Sequence, residues 1–392
     1  MNYEQFFQST INQLTSQNRY REFLDISRLC GSFPLAINNK NGRKITVWCS
    51  NDYLGLAQDQ EAIAAFCQGA KSFGIGSGGT RNISGTNHPL AILEEEIAIL
   101  HKKELGLVFN SGYVANEAAI SALAKIIPNL VVFSDQKNHA SIINGIKNSG
   151  LEKQIFRHNN MDHLEELLKS YPLETPKIII FESVYSMDGY FGNIAQIVKL
   201  AKKYQALTYI DEVHGVGIYG KNGAGLAEEL ELAHEIDIIQ GTFAKSFGAV
   251  GGYICASKAL INAVRSVASG FIFTTSMPPA IASAIRSNIE KVKNSPNLRN
   301  SYRQKIEYLK NKLAQNNIKI IENKSHIVSI IIGDAKKAAE ISAKLLEEHN
   351  IYIQHINYPT VEVGSERLRI ILTPLHTDEM IDNLIKALKK TI

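Results

Sequence analysis

The sequence predicts an α/β fold, with a mostly parallel sheet in a large domain and a smaller α+β domain at the C-terminus. Three observations carry this. Several short runs are apolar along their whole length, the pattern of strands buried on both faces. Helical patterns separate those runs, so strand and helix alternate. Beyond about residue 285 the order changes to helix, helix, strand, helix, strand, helix, which is that of a separate unit. A chain of 392 residues is also too long for one simple core.

The elements follow in order. Residues 2–30 are expected to be helical, with Phe6, Ile11, Leu14, Phe23 and Ile26 as the apolar stripe. Strands are expected at 44–49, 106–109, 130–134, 178–182, 207–211, 236–240, 252–256 and 271–274. Helices are expected at 62–72, 89–101, 115–124, 163–170 and 194–204. The C-terminal part reads as helices 279–295 and 299–314, strand 326–332, helix 335–349, strand 368–372 and a last helix starting near Thr377. The expected divisions are an N-terminal helical segment, 1–45, a large domain, 46–285, and a small domain, 286–392.

Composition excludes some classes. Lys and Arg number 42 against 38 Asp and Glu, a net charge of +4, and no basic run clusters them. A nucleic-acid partner is therefore not expected. Cysteines stand at 30, 49, 67 and 255 without a C-x-x-C pair, so neither a metal site nor a dithiol motif is expected. Such scattered cysteines fit a reducing compartment. The N-terminus MNYEQFFQSTINQL lacks the basic start and apolar stretch of a signal peptide. No apolar run approaches the ~20 residues of a membrane span. The expected location is the bacterial cytoplasm.

Four clusters bear on chemistry. Gly74 to Gly79 satisfies G-x-G-x-x-G, but it follows a helical pattern rather than a strand, so a dinucleotide site is rejected. The polar residues after it, Thr80 to Asn87, suit a small anion or carboxylate, or simply a surface loop. Asn110-Ser111-Gly112-Tyr113 ends a strand and opens a helix, where free N–H groups suit a phosphate; an ordinary Ser111 cap is the alternative. Asp211 ends a buried apolar strand, where a carboxylate needs a cationic partner or backbone donors. A protonated pyridine nitrogen would be such a partner. Lys245 lies among small and aromatic residues just past another apolar strand, where desolvation suits a Schiff-base lysine; a solvated surface lysine is the commoner alternative. Asp211 and Lys245 on consecutive strand ends, with the Ser-Gly turn upstream, form a far more specific pattern than any one of them.

These residues resemble the α-oxoamine synthases, a family of fold-type I pyridoxal-phosphate enzymes. The resemblance runs nearly the full length, through RYREF, TVWCSNDYLGL, GGTRNISGTNH, FSDQKNHASIINGI, FESVYSMDG, YIDEVHGVGIYG, TFAKSFGAVGGYI, FIFTTSMPP and NYPTV. It implies an aspartate-aminotransferase-like fold, bound pyridoxal 5'-phosphate, and a homodimer with shared active sites. TVWCSNDYLG and GGTRNISGTNH favour the branch that joins glycine to succinyl-CoA, with loss of carbon dioxide, to give 5-aminolevulinate and CoA on the way to haem. Sister activities, glycine C-acetyltransferase and 8-amino-7-oxononanoate synthase among them, share the cofactor residues.

The resemblance also assigns positions. Lys245 attaches the cofactor, Asp211 meets its ring nitrogen and His139 stacks on its face. His214 and Ser186 stand beside the ring hydroxyl. Ser111, Gly112, Tyr113 and Thr242 surround the phosphate, with Thr274 and Thr275 from the neighbouring subunit. Tyr53 is a further cofactor contact. Asn51 and Arg369 hold the glycine carboxylate. Arg21, Thr80, Asn82 and Ile83 take the succinyl end, and Ser134, Lys153 and Thr360 make other acyl-CoA contacts. Two positions depart from the pattern: Glu362 stands where proline is expected, and Pro89 where an aromatic is common.

Overall fold

In a computed structural model describing residues 1–392, the central apolar runs form one seven-stranded sheet. Its order is Leu105–Phe109, Gly252–Ala256, Ile238–Thr242, Leu207–Asp211, Lys177–Glu182, Val131–Asp135 and Glu152–Phe156. Gly252–Ala256 is antiparallel to both neighbours, and the remaining pairs are parallel. Every residue of Lys177–Glu182, Val131–Asp135 and Ile238–Thr242 is buried, the polar ones at or near the strand ends included. Helix Gly112–Ile126 sets Ala115, Ala119 and Leu123 into a core shared with Val132, Ile178, Ile180, Tyr209 and Ile254.

Ile180 is 0% exposed in the middle of that core. Ile180→Ala is expected to cost about 2–5 kcal/mol, the range for truncating a packed aliphatic side chain. Urea unfolding should show this as a lower midpoint at unchanged slope.

With only Gly252–Ala256 reversed, the carboxyl ends of the other six strands come to one edge. Phe109, Asp135, Phe156, Glu182, Asp211 and Thr242 end there. In open α/β sheets ligands bind outside that edge.

The chain divides into two compact units. The larger holds Leu56–Ser186 and Tyr190–Asn300, and the smaller holds Met1–Gly55, Met187–Gly189 and Ser301–Ile392. Within the larger unit, helix Pro279–Asn294 packs on Gln60–Phe73 through small residues, a Cβ on Gly69 coming within 3.0 Å of Ala280 Cα. The smaller unit has two sheets. One orders Ile26–Arg28, Leu35–Asn38, Arg43–Val47 and Ile351–Tyr352; the other orders Val328–Ile331, Arg367–Ile370 and His355–Ile356. This division differs from the sequence boundaries at both ends. Strand Arg43–Val47 pairs in parallel with Ile351–Tyr352, which joins the first 55 residues to the C-terminal part. Helix Pro279–Asn294 stays whole on the larger unit.

Most expected elements form within two residues of their expected bounds. Asp59, Asn87, Ser111, Ser257, Asp334 and Thr377 cap helices by accepting from backbone N–H groups, and Pro89 sits in the first turn of its helix. Two expectations fail. The N-terminal helix ends at Ser16 and buries none of its residues, and Ile26 belongs to a strand. Residues 271–274 are not a strand. Ser269–Ile272 forms a short helix, with Phe271 edge-on to Phe109 at 5.6 Å. β-branched and aromatic composition alone suggested a strand there. Helices Ala140–Ser149 and Lys258–Val267 and the edge strand Glu152–Phe156, whose only buried residue is Phe156, were not expected.

Candidate active site

A cavity of about 190 Å³ opens at the carboxyl edge of the seven-stranded sheet. Gly112, Tyr113 and Thr242 line one side, His139, Glu182 and Asp211 another, with His214 and Lys245 completing it. Every lining residue belongs to the larger unit.

The first N–H groups of helix Gly112–Ile126 point out of its N-terminus at the cavity. Ser111 Oγ caps this helix by accepting from Val114 N at 3.1 Å, so the ordinary capping role is real. The turn is close-fitting. A Cβ on Gly252 would meet Gly112 Cα at 2.4 Å, and one on Gly112 would meet Thr242 Cβ at 3.3 Å. Thr242 Oγ1 donates to Gly251 O at 2.7 Å and accepts from Ala244 N at 3.2 Å. A helix N-terminus with small residues around it is built for an anion.

Asp211 is buried at the far side. Its Oδ1 accepts from Val213 N at 2.8 Å and its Oδ2 from Asn116 Nδ2 at 2.9 Å. Burial pushes its carboxyl up; the Asn116 and Val213 donors, then His139 and Lys245, pull it back. A cationic ligand nitrogen would complete its compensation. His139 Nδ1 accepts from Ser141 N at 3.2 Å, and the ring meets Tyr113 edge-on at 6.3 Å. Burial lowers the His139 ring below its ordinary value, against the pull of Asp211.

Two further buried carboxyls flank Asp211. Glu182 is held well above its ordinary value by burial and by Asp211. Glu212 accepts from Ala227 N at 2.7 Å and Leu226 N at 3.1 Å, opening helix Leu226–Glu229. Burial raises Glu212 to about 7 from 4.5. The folded chain therefore keeps this proton when an unfolded chain has lost it. The stability it gives is full below 4.5 and declines as pH rises to about 7. At about 1.4 kcal/mol per unit, the loss is about 3 kcal/mol. Glu212→Gln, which cannot ionise, should remove that part of the decline when urea midpoints are compared at about pH 5 and about pH 8.

The structure places the other expected residues as follows. His214 is buried beside Asp211, and Ser186 is half-buried in the segment after Lys177–Glu182. Thr274 and Thr275 do not line this cavity; Asn110 Nδ2 donates to Thr274 Oγ1 at 3.1 Å and Thr275 O at 2.7 Å. Thr80 bridges to Thr275, and its hydroxyl donates to Asn82 Oδ1 at 2.7 Å. Ile83 is 68% exposed. Ser134 is buried and accepts from Asn138 Nδ2 at 2.9 Å, whereas Lys153 is exposed on the edge strand.

A second polar cluster lies within the smaller unit. Arg369 Nη1 donates to Asn51 Oδ1 at 2.9 Å, and Nη2 to Tyr53 OH at 3.1 Å. Arg369 is 6% exposed, and Tyr53, fully buried, packs edge-on to His326 at 4.5 Å. Tyr53 is thus an orienting partner of Arg369. Arg21 Nη2 donates to Thr360 Oγ1 at 3.2 Å across an exposed loop. Glu362 leaves that bond intact, its carbonyl accepting from Ser365 N at 3.0 Å.

The cavity's donor set fits pyridoxal phosphate. A helix N-terminus, a buried carboxyl and a lysine line it, and these would suit an anionic phosphate, a ring nitrogen and an aldehyde respectively. Sequence reading missed Asn116, Ser141, Glu182 and Tyr209. Each sits in an apolar helix or strand pattern, and only its placement next to Asp211 marks it.

The chain matches the family described as aminotransferase class I and II over residues 43–388. It is 53% identical to a 5-aminolevulinate synthase of Rickettsia bellii over 98% of this chain and 93% of that protein. It is 50% identical to one of Bradyrhizobium diazoefficiens, over 99% and 95%. Its fold is similar to that of a Sphingomonas wittichii serine palmitoyltransferase, with TM-score 0.92 and 28% identity over 99% and 96% of the two chains. A structure of SPT with its PLP internal aldimine gives TM-score 0.91 at 28% identity, over 98% and 96%.

Proposed function

This chain belongs to the aminotransferase class I and II family and, within it, to the 5-aminolevulinate synthases, and from that premise we propose how its residues divide the work. It condenses glycine with succinyl-CoA and, with loss of carbon dioxide, gives 5-aminolevulinate and CoA, the first step of haem synthesis. Its cofactor is pyridoxal 5'-phosphate. When bound, that group supplies a ring that takes up the charge left as glycine's α-proton departs.

Lys245 Nζ would hold the cofactor and, as a free amine, would take glycine's α-proton as general base. Asp211 holds the proton on the ring nitrogen. His139 would hold the ring face and His214 and Ser186 the ring hydroxyl, with His214 also assisting the decarboxylation. The N–H groups of Gly112 and Tyr113, with Ser111 and Thr242, grip the phosphate. Arg369 takes the glycine carboxylate in its fork with Asn51. Tyr53 aligns that fork.

Arg21, Thr80, Asn82 and Ile83 receive the succinyl carboxylate, and Ser134, Lys153 and Thr360 the rest of the acyl-CoA. The enzyme works as a homodimer in the bacterial cytoplasm, a second subunit supplying Thr274 and Thr275 to each phosphate. No helix is long and apolar enough to cross a membrane.

The observation that carries this reading is the gathering of Lys245, Asp211, His139 and the Gly112 helix start around one cavity. The test is CoA thiol release by cofactor-loaded protein given glycine with succinyl-, acetyl-, pimeloyl- or palmitoyl-CoA. Succinyl-CoA should be strongly preferred, with 5-aminolevulinate as product. Preference for another acyl group would leave Lys245 and Asp211 in place and overturn the roles of Arg21 and Asn82.

A further inference from the structure

Two carboxyl groups end adjacent strands in the cofactor cavity. Glu182 and Asp211 are paired in register, both are nearly fully buried, and both line the cavity. Lys245 and His139 also line it, and Asp135 ends the next strand. Carboxyls this close in a buried site do not both ionise. One carries the charge and the other keeps its proton. Which one does so matters, because only the ionised group can hold a cationic ring nitrogen.

Hydrogen bonding separates them. Asp211 accepts from Val213 N and from Asn116 Nδ2, while Glu182 accepts from the backbone N–H of His139. Asn116 is 1% exposed, and its amide is oriented from both ends. Tyr209 OH donates to its Oδ1 at 2.8 Å, which turns Nδ2 towards Ser141 Oγ at 3.0 Å and Asp211 Oδ2 at 2.9 Å. Ser141 Oγ in turn lies 2.7 Å from His139 Nδ1. One amide thus joins the carboxylate below the ring nitrogen to the imidazole assigned to the ring face.

We propose that Asn116 is a positioning residue that places the negative charge on Asp211 rather than Glu182, and so keeps the proton on the cofactor's ring nitrogen. This rests on the reading of Asp211 as the ring-nitrogen partner. Glu182 is then a neutral acid, in keeping with the upward push that burial and Asp211 give it. Without the amide donor Asp211 loses one of two bonds to its charged form and takes the proton that Glu182 gives up, so the ring nitrogen would face a neutral acid and release its own proton to solvent.

The test is nitrogen NMR of the holoenzyme loaded with pyridoxal phosphate labelled at the ring nitrogen, read at fixed neutral pH. Asn116→Ala should lower the ratio of protonated to unprotonated ring nitrogen by about tenfold or more, the scale of a lost hydrogen bond to a charged group. Tyr209→Phe keeps Asn116 but frees its amide to turn, and should shift the ratio the same way by less. It decides the matter if Asn116→Ala does not fold. Glu182→Gln should leave the ratio as in wild type. A wild-type ratio in the Asn116 and Tyr209 variants, or loss of ring protonation in Glu182→Gln, overturns the proposal. Asp211→Asn separates the two levels. If it too leaves the nitrogen protonated, the parent reading of Asp211 fails. If it removes the proton while the Asn116 variant does not, only the role of Asn116 fails.

Discussion

Lys245→Ala is expected to abolish turnover, by on the order of 10⁴-fold or more, because one side chain serves both as the attachment point and as the general base. The loop that carries it leaves strand Ile238–Thr242 and closes through Gly248 N donating to Lys245 O at 2.9 Å, with Ala249 N donating to Phe243 O at 2.9 Å. Phe243 and Phe247 are fully buried on either side, so the backbone at Lys245 is fixed by packing that alanine leaves untouched. Loss of activity without loss of fold is therefore expected, and the melting temperature of the cofactor-free protein should stay close to wild type. A second readout is independent of turnover. Borohydride treatment of the loaded wild type should leave the cofactor covalently on the peptide containing Lys245, and on no peptide of the alanine variant. An adduct on another lysine, or substantial activity in the variant, would sink the assignment.

The sequence pointed to Lys245 for a physical reason. A parallel strand buried on both faces must be apolar, so a charged residue at its carboxyl end stands out, and Asp211 and Lys245 both follow such runs. The same contrast located Ser111 and Gly112. Asn116 and Ser141 gave no such signal, since each is one polar residue in a helix whose other residues already set the pattern. Their meaning lies in register. Asn116, one turn into its helix, reaches across to the end of Leu207–Asp211, and periodicity does not report which strand a helix crosses. The compact units depart from the expected bounds for a related reason. Arg43–Val47 looks like the start of the large domain in the linear sequence, but its hydrogen-bonding partner is Ile351–Tyr352, some 300 residues on. The expected helix over 2–30 holds only to Ser16, because Ile26–Arg28 pairs as a strand with Leu35–Asn38, a partner that helical periodicity does not report.

Arg369→Ala is expected to give the second large effect, on glycine rather than on cofactor. Strand Arg367–Ile370 places Arg367 and Arg369 on the same face by its period of two, yet the two guanidinium groups are used differently. Arg367 Nη1 pairs with Asp188 at 2.5 Å, a buried ion pair that fixes Met187–Gly189 within the smaller unit. Asn51 and Tyr53 both accept from the fork of Arg369 and so orient it, and a planar fork suits a carboxylate brought by the substrate. Removing a buried cation from a bound carboxylate costs about 2–5 kcal/mol, a fall of roughly 30- to 4,000-fold in kcat/KM for glycine. Arg369→Lys keeps the charge but not the planar fork, and should recover only part of that loss. In both variants KM for succinyl-CoA and cofactor retention should stay near wild type. A rise in KM for succinyl-CoA with glycine unaffected would instead move Arg369 to the acyl end of the reaction, and with it the reason for Asn51 and Tyr53 being where they are.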